Sequence, residues 1–310
     1  MARLSAVDDG GMKHLVVGVD GREPSLAALR WAVSAAGRGG AVHALAATSP
    51  TPDLDAHSSA RSDARTALGE ALRRDWVAPF DGAVAQLTSS TSDEPAPDAL
   101  RKAAERRDAD AVVIGAHVSP RGIPKMTGGT IRELLATLTR PLIVVPSTAS
   151  ADRTGHAPVI VGIGHGSATD AAVCWAAHHA EATGRPLGLV RVTGDVPLFR
   201  IDGLLDVMAL YLEPEKRSEW TEEDLADWAE RAHEQATAPI DVTTGAVAGL
   251  PAVQLVEASE SAEVLVIGQH RHGVLGDHHV PQPLRYALTH ARCPVVVVPD
   301  THADEVAARS

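Results

Sequence analysis

The stretch AVVIGAHVSPRGIPKMTGGTIRELL, residues 111–135, runs from an apolar strand pattern through a glycine-studded loop into helix-forming residues. Glycines at such a junction let main-chain N–H groups approach an anion at the start of a helix, which is the chemistry of phosphate binding. Gly115, Gly128 and Gly129 supply the glycines, Thr130 a hydroxyl beside them, and Lys125 a point charge. Val118 works against them, because a β-branched side chain adds bulk and resists the positive φ that glycine takes easily. Asp20 closes the first apolar run, HLVVGV, and supplies an acid. In an open α/β sheet, ligands sit beyond the carboxyl ends of the strands at the switch point, where Asp20 and the loop from Gly115 should converge. On its residues alone, the loop also reads as a connection whose glycines only turn the chain.

Other reactive groupings are weaker. The loop HRHGVLGDHH gathers His270, His272, Asp277, His278 and His279, with His165 expected nearby, yet it has neither the H-E-x-x-H pairing nor a Cys/His finger spacing. It reads as solvated, with no metal site assigned; the alternative is a module that binds zinc or a similar metal through these histidines. Neither a G-x-S-x-G elbow nor a G-x-x-x-x-G-K-[ST] loop occurs, and no nucleophile stands beside a plausible base. The expectation is a binding protein, not an enzyme.

The elements that must position these residues occur twice. HLVVGVDGREPSLAALRWA at 14–32 matches PVIVGIGHGSATDAAVCWA at 158–176, with Gly18 against Gly162 and Trp31 against Trp175, both 144 apart. Towards the ends Gly115 matches Gly268 and Pro146 matches Pro299, both 153 apart, so extra residues have entered the middle of the second copy, within 196–234. Duplication at a whole-domain period predicts two similar domains, 12–147 and 157–300, rather than a solenoid of short repeats. The polar stretch STASADRTGHAP, 147–158, joins them. Within each copy, short apolar runs such as HLVVGV, VHALAAT, DAVVIGA and PLIVVP alternate with helix patterns such as 25–37 and 96–109. Such runs are strands buried on both faces of a parallel sheet, and right-handed crossovers put helices on both sides. In the extra material, FRIDGLLDVMALYL and EEDLADWAERAHEQA both read as helices, the first as a crossover helix with added core contacts.

Composition narrows the partners. A formal charge of −12 and 3% aromatic residues disfavour nucleic acid, which calls for cationic surfaces and stacking platforms. No apolar run approaches the roughly 20 residues that cross a bilayer, and two acids interrupt the N-terminus where a signal peptide is apolar. A cytoplasmic chain without membrane or nucleic-acid partners is expected. Cys174 and Cys293 fall in apolar segments, as small buried hydrophobes of a reducing compartment.

With VVGVDG opening the domain and VIGAHVSPRGIPKMTGG…RPLIVVP closing it, the sequence resembles the universal stress protein family, in two tandem copies over nearly the whole chain. The resemblance implies two Rossmann-like α/β domains, each an open five-stranded parallel sheet with helices on both faces. In nucleotide-binding members a strand-end aspartate accompanies Gly, two residues, Gly, nine residues, Gly, then Ser or Thr. Carried over, this puts Asp20 at the adenine or ribose end of ATP or another adenine nucleotide, and the backbone of Gly115, Gly128 and Gly129 around its phosphates. Val118 stands at the second glycine, and Gly129 takes the hydroxyl position with Thr130 next to it. The second copy keeps Gly268 but has Gly164, Arg271, Pro281 and Gln282 at the other positions, so it is expected not to bind ATP in the family manner. The family pairs through its last strand, which makes PLIVVP and CPVVVVP the candidate edges of an intramolecular pseudo-dimer and leaves room for a homodimer. The competing expectation is a stress-adaptation scaffold that acts through protein contacts without nucleotide.

Overall fold

The computed structural model describes residues 12–47, 59–116, 129–147, 156–164, 166–193, 222–269 and 280–300. The chain divides into two compact units, Met12–Ala151 and Asp152–Ser310.

In the first unit the chain alternates β1 (His14–Gly18), α1 (Glu23–Ala36), β2 (Ala41–Ala47), α2 (Ser59–Ala71), a π-helical turn (Leu72–Val77), β3 (Gln86–Ser92), α3 (Ala96–Arg106), β4 (Ala111–Ala116), α4 (Gly129–Thr137) and β5 (Leu142–Pro146). The strands lie in the order β3-β2-β1-β4-β5 and pair in parallel. Local chemistry explains the boundaries. Helix α1 starts with Glu23 and Pro24, an acid where the helix dipole favours it and a proline whose missing N–H costs nothing there. Its inward face is mostly small, with Ala27, Ala28, Ala32 and Ala36 buried, so the helix lies close on the sheet. The central strands are buried on both faces, and Val16, Val17, Val112, Val113 and Ile143 are at most 1% exposed, as consecutive apolar residues in a two-sided parallel sheet must be.

The second unit repeats the pattern: β6 (Val159–Gly162), α5 (Ser167–Thr183), β7 (Leu187–Thr193), α6 (Glu222–Gln235), β8 (Val242–Ala248), α7 (Pro251–Ala258), β9 (Val264–Gln269), α8 (Gln282–His290) and β10 (Val295–Pro299). Its strand order is β10-β9-β6-β7-β8, again parallel. The second helix expected in the extra material is α6, anchored by buried Leu225, Trp228 and Ala232; FRIDGLLDVMALYL lies outside the described residues. Glu181 on α5 fixes the exit from α6, since its carboxylate accepts the amides of Thr237 and Ala238, and the Thr237 hydroxyl donates to it too. These bonds hold its pKa below the ordinary carboxylate value. No helix among the described residues is long and apolar enough to cross a membrane.

His43, mid-strand in β2, is a buried polar residue in an otherwise apolar run, 4% exposed. Its Nδ1 and Nε2 each lie 2.8 Å from a hydroxyl, of Thr88 and Ser90 on the neighbouring strand. Burial, with smaller contributions from Arg107 and Arg106, pushes its pKa from 6.5 to about 4. The unfolded chain therefore binds more protons between these values, so stability is lost as pH falls through that window. Between pH 7 and pH 5 the loss from this residue should approach about 2 kcal/mol. Urea titrations at the two pH values should show it in the wild type and show a smaller slope in His43→Gln.

Candidate functional site

Strand β1 is flanked by β2 on one side and β4 on the other, with Leu15, Val16 and Val17 level with Ala111, Val112 and Val113. The chain leaves β1 towards β2 and β3 and returns through β4, so the switch point lies beyond the carboxyl ends of β1 and β4. Because β4, α4 and β5 form a parallel crossover, the N-terminus of α4 stands at this same end.

Beyond β1 the backbone folds into a tight turn. The Asp20 amide donates to Ser25 Oγ at 3.1 Å, the Ser25 hydroxyl donates to the Arg22 carbonyl at 2.9 Å, and the Arg22 amide donates to Asp20 Oδ1 at 3.0 Å. Oδ2 is 3.7 Å from the exposed Arg22 guanidinium, and the Asp20 side chain remains 57% exposed. Asp20 thus orders the start of α1 through one oxygen and keeps accepting capacity on the other.

Gly129 opens α4, and a Cβ built on it would meet nothing within 4 Å. Thr130 follows, partly exposed. The leading amides of a helix have no intrahelical acceptor and favour anions. Val118, Gly128 and Lys125 lie outside the described residues.

Gly115 has a different local explanation from the one its motif suggests. A Cβ on it would lie 2.0 Å from the carbonyl oxygen of Pro24 and 2.6 Å from the amide nitrogen of Ser25. Only a residue without a side chain lets the first turn of α1 sit so close to β4. Gly268 in the second unit meets the corresponding backbone, 2.0 Å from the carbonyl oxygen of Ala168. The glycine at this position, Gly115 in one copy and Gly268 in the other, is thus a helix-packing residue in each.

The second unit is built differently at this end. Gly164 stands where the first unit has Asp20, and Pro281 precedes α8, which has a further proline in its first turn; prolines offer no N–H to an anion. A carboxylate appears elsewhere: Asp300, just past β10 and 3% exposed, accepts the hydroxyl of Ser167 at the start of α5. Arg191, 7% exposed within β7, donates from Nη1 to the Ile163 carbonyl at 2.8 Å. Ser167, Arg191 and Asp300 are not among the residues expected from the sequence. The lone charge in LGLVRVT was the available signal for Arg191, whereas nothing in the sequence links residues 167 and 300.

The expected histidine cluster, His270 to His279 with His165, and Arg271 lie outside the described residues. Among those described, no three His, Cys, Asp or Glu side chains gather as a metal site. Cys293 is buried, as expected. Cys174 is only partly so and lies 3.2 Å from Gln235 Oε1, because its face of α5 meets α6 rather than the sheet.

Two doubly wound α/β units in tandem, each with its switch point at the carboxyl ends of a parallel sheet, define a tandem Rossmann-like α/β class. The model of the Universal stress protein family matches residues 11–146 and 156–299, and the chain belongs to that family. Universal stress proteins of Mycobacterium tuberculosis and Mycobacterium bovis are 31% identical over 195 residues, 61% of this chain and 62% of each relative. The chain thus matches 62% of the length of these curated relatives. A universal stress protein from Archaeoglobus fulgidus DSM 4304 shares the fold with a TM-score of 0.65 at 14% identity, over 94% of this chain and 97% of that one. The cytoplasmic domain of a prokaryotic cation chloride cotransporter gives a TM-score of 0.51 at 10% identity, over 92% and 94%. These two likenesses concern the fold, which hosts different functions.

Proposed function

We propose that this universal stress protein binds an adenine nucleotide, ATP in the first instance, in its first domain, 12–147. In this reading the second domain, 157–300, has a degenerate site, and the protein acts in the cytoplasmic stress response by binding rather than turnover. The observation that carries the reading is Asp20: a partly exposed carboxylate, fixed by its own turn, at the switch point of the first sheet. Asp20 takes the ribose or adenine end, and the amides at Gly129 and Thr130, with Gly128 of the same motif, take the phosphates beside Val118. Gly115 serves by seating α1 against β4. Two tandem domains of this family in one chain fit an intramolecular pair. The pairing proposed is through β5 and β10, each the last strand of its own domain, with a homodimer as a further level of assembly.

The scaffold reading is favoured by one observation. Gly115 and Gly268 are both accounted for by packing, so part of the glycine motif needs no ligand to explain it. A thermal shift separates the two. ATP at 100-fold excess over Kd should stabilise the nucleotide-binding unit by about 2.7 kcal/mol, and denatured protein should release adenine nucleotide carried through purification. No shift with ATP, ADP or AMP and no released nucleotide would leave the scaffold.

A further inference from the structure

The first unit has an aromatic side chain at its switch point that the family motif does not include. Gly21, next to Asp20, has φ +79°, and a Cβ on it would lie 2.2, 2.7 and 2.8 Å from Cζ2, Cη2 and Cε2 of Trp76. The six-membered ring of the indole therefore lies directly against the Gly21 backbone, and any larger residue at 21 would displace it. Trp76 belongs to the π-helical turn Leu72–Val77, whose Leu72 and Val77 are buried while Arg73, Arg74 and Asp75 are exposed; the indole is half-buried between them. π-Turns account for well under 1% of residues and gather at functional sites. In a chain with only 3% aromatic residues, such a turn has brought a tryptophan to the residue after Asp20.

The topology gives the cleft a polarity. Trp76 comes from the β2–β3 crossover, on the β2 side of β1, whereas the N-terminus of α4 comes from the β4–β5 crossover, on the other side. Asp20 stands at the end of β1 between them. Aromatic surface, carboxylate and helix amides in that order match base, ribose and phosphate. We propose that Trp76 forms the nucleobase wall of the first unit's cleft, stacking a purine whose ribose reaches Asp20. This rests on the nucleotide reading and deepens it: the ligand is held by its base as well as its phosphates.

The test titrates ATP and inorganic tripolyphosphate into the full chain, wild type, Trp76→Phe and Trp76→Leu, with circular dichroism to establish folding. Loss of a base-stacking partner weakens binding by roughly 5- to 150-fold, so Trp76→Leu should raise the ATP Kd by about tenfold or more and leave tripolyphosphate unchanged. Trp76→Phe should stay within a few-fold of wild type, but lack the quenching of tryptophan fluorescence expected when ATP is added to the wild type. Equal ATP affinity in wild type and Trp76→Leu overturns the inference and leaves the nucleotide reading standing. Parallel loss of ATP and tripolyphosphate makes Trp76 a prop for the turn and overturns it as well. A wild type that binds no ATP removes both. Should Trp76→Leu fail to fold, the quench decides: one that survives in Trp76→Phe overturns the inference.

Discussion

Gly115→Ala is expected to destabilise the first unit by about 1–3 kcal/mol, at the upper end or beyond, because the new methyl would fall on backbone rather than on a side chain that can turn away. The nearest atoms, the Pro24 carbonyl and the Ser25 amide nitrogen, belong to the first turn of α1. Relief requires lifting that helix off β4, which disturbs the turn holding Asp20. Gly268→Ala should do the same to the second unit through Ala168. Gly129→Ala is the internal control: nothing lies within 4 Å of its Cβ position, and alanine suits a helix better than glycine by up to about 1 kcal/mol. Urea denaturation of the three variants checks the pattern. A Gly115→Ala protein as stable as wild type would remove the packing explanation. The result also governs the reading of binding data, since lost affinity in a Gly115 variant would report a displaced helix as readily as a lost phosphate contact.

Asp20→Ala should lower ATP affinity by about 10- to 150-fold, the range for losing a hydrogen bond to a charged group. Alanine also removes the acceptor for the Arg22 amide, so the informative partner is Asp20→Asn. Asparagine keeps an oxygen for that amide and loses the charge. If Asp20 acts on the ligand, both variants bind weakly while Asp20→Asn melts near wild type. If it only caps the turn, Asp20→Asn binds as wild type does. Gly164→Ala, at the corresponding position of the second unit, brings its methyl 3.3 Å from Thr169 Oγ1, an adjustable hydroxyl. It should leave ATP binding unchanged.

The fold was legible because duplication is a property of the sequence itself. Two constant offsets, 144 and 153, define the repeat and the position of the extra residues without any contact being known. Apolar runs gave β1, β2, β4 and β5, whereas β3, QLTSSTS, has no such run. The site was legible in its residues but not in their reasons. Gly115 was visible as a glycine, yet why it must be one depends on Pro24, which only the crossover brings within reach. The π-turn at Leu72–Val77 leaves no trace in hydrophobic spacing, so nothing in the sequence marks Trp76 until the turn places it on Gly21. The bond from Ser167 to Asp300 closes over 133 residues of chain. Local pattern cannot anticipate such pairings.

The most direct measurement is the stoichiometry of ATP on the intact chain by isothermal titration. A working first site beside a second whose acid is Gly164 and whose helix start carries prolines predicts one ATP per chain. Two per chain would contradict the degeneracy of the second copy, and none would contradict the nucleotide function itself.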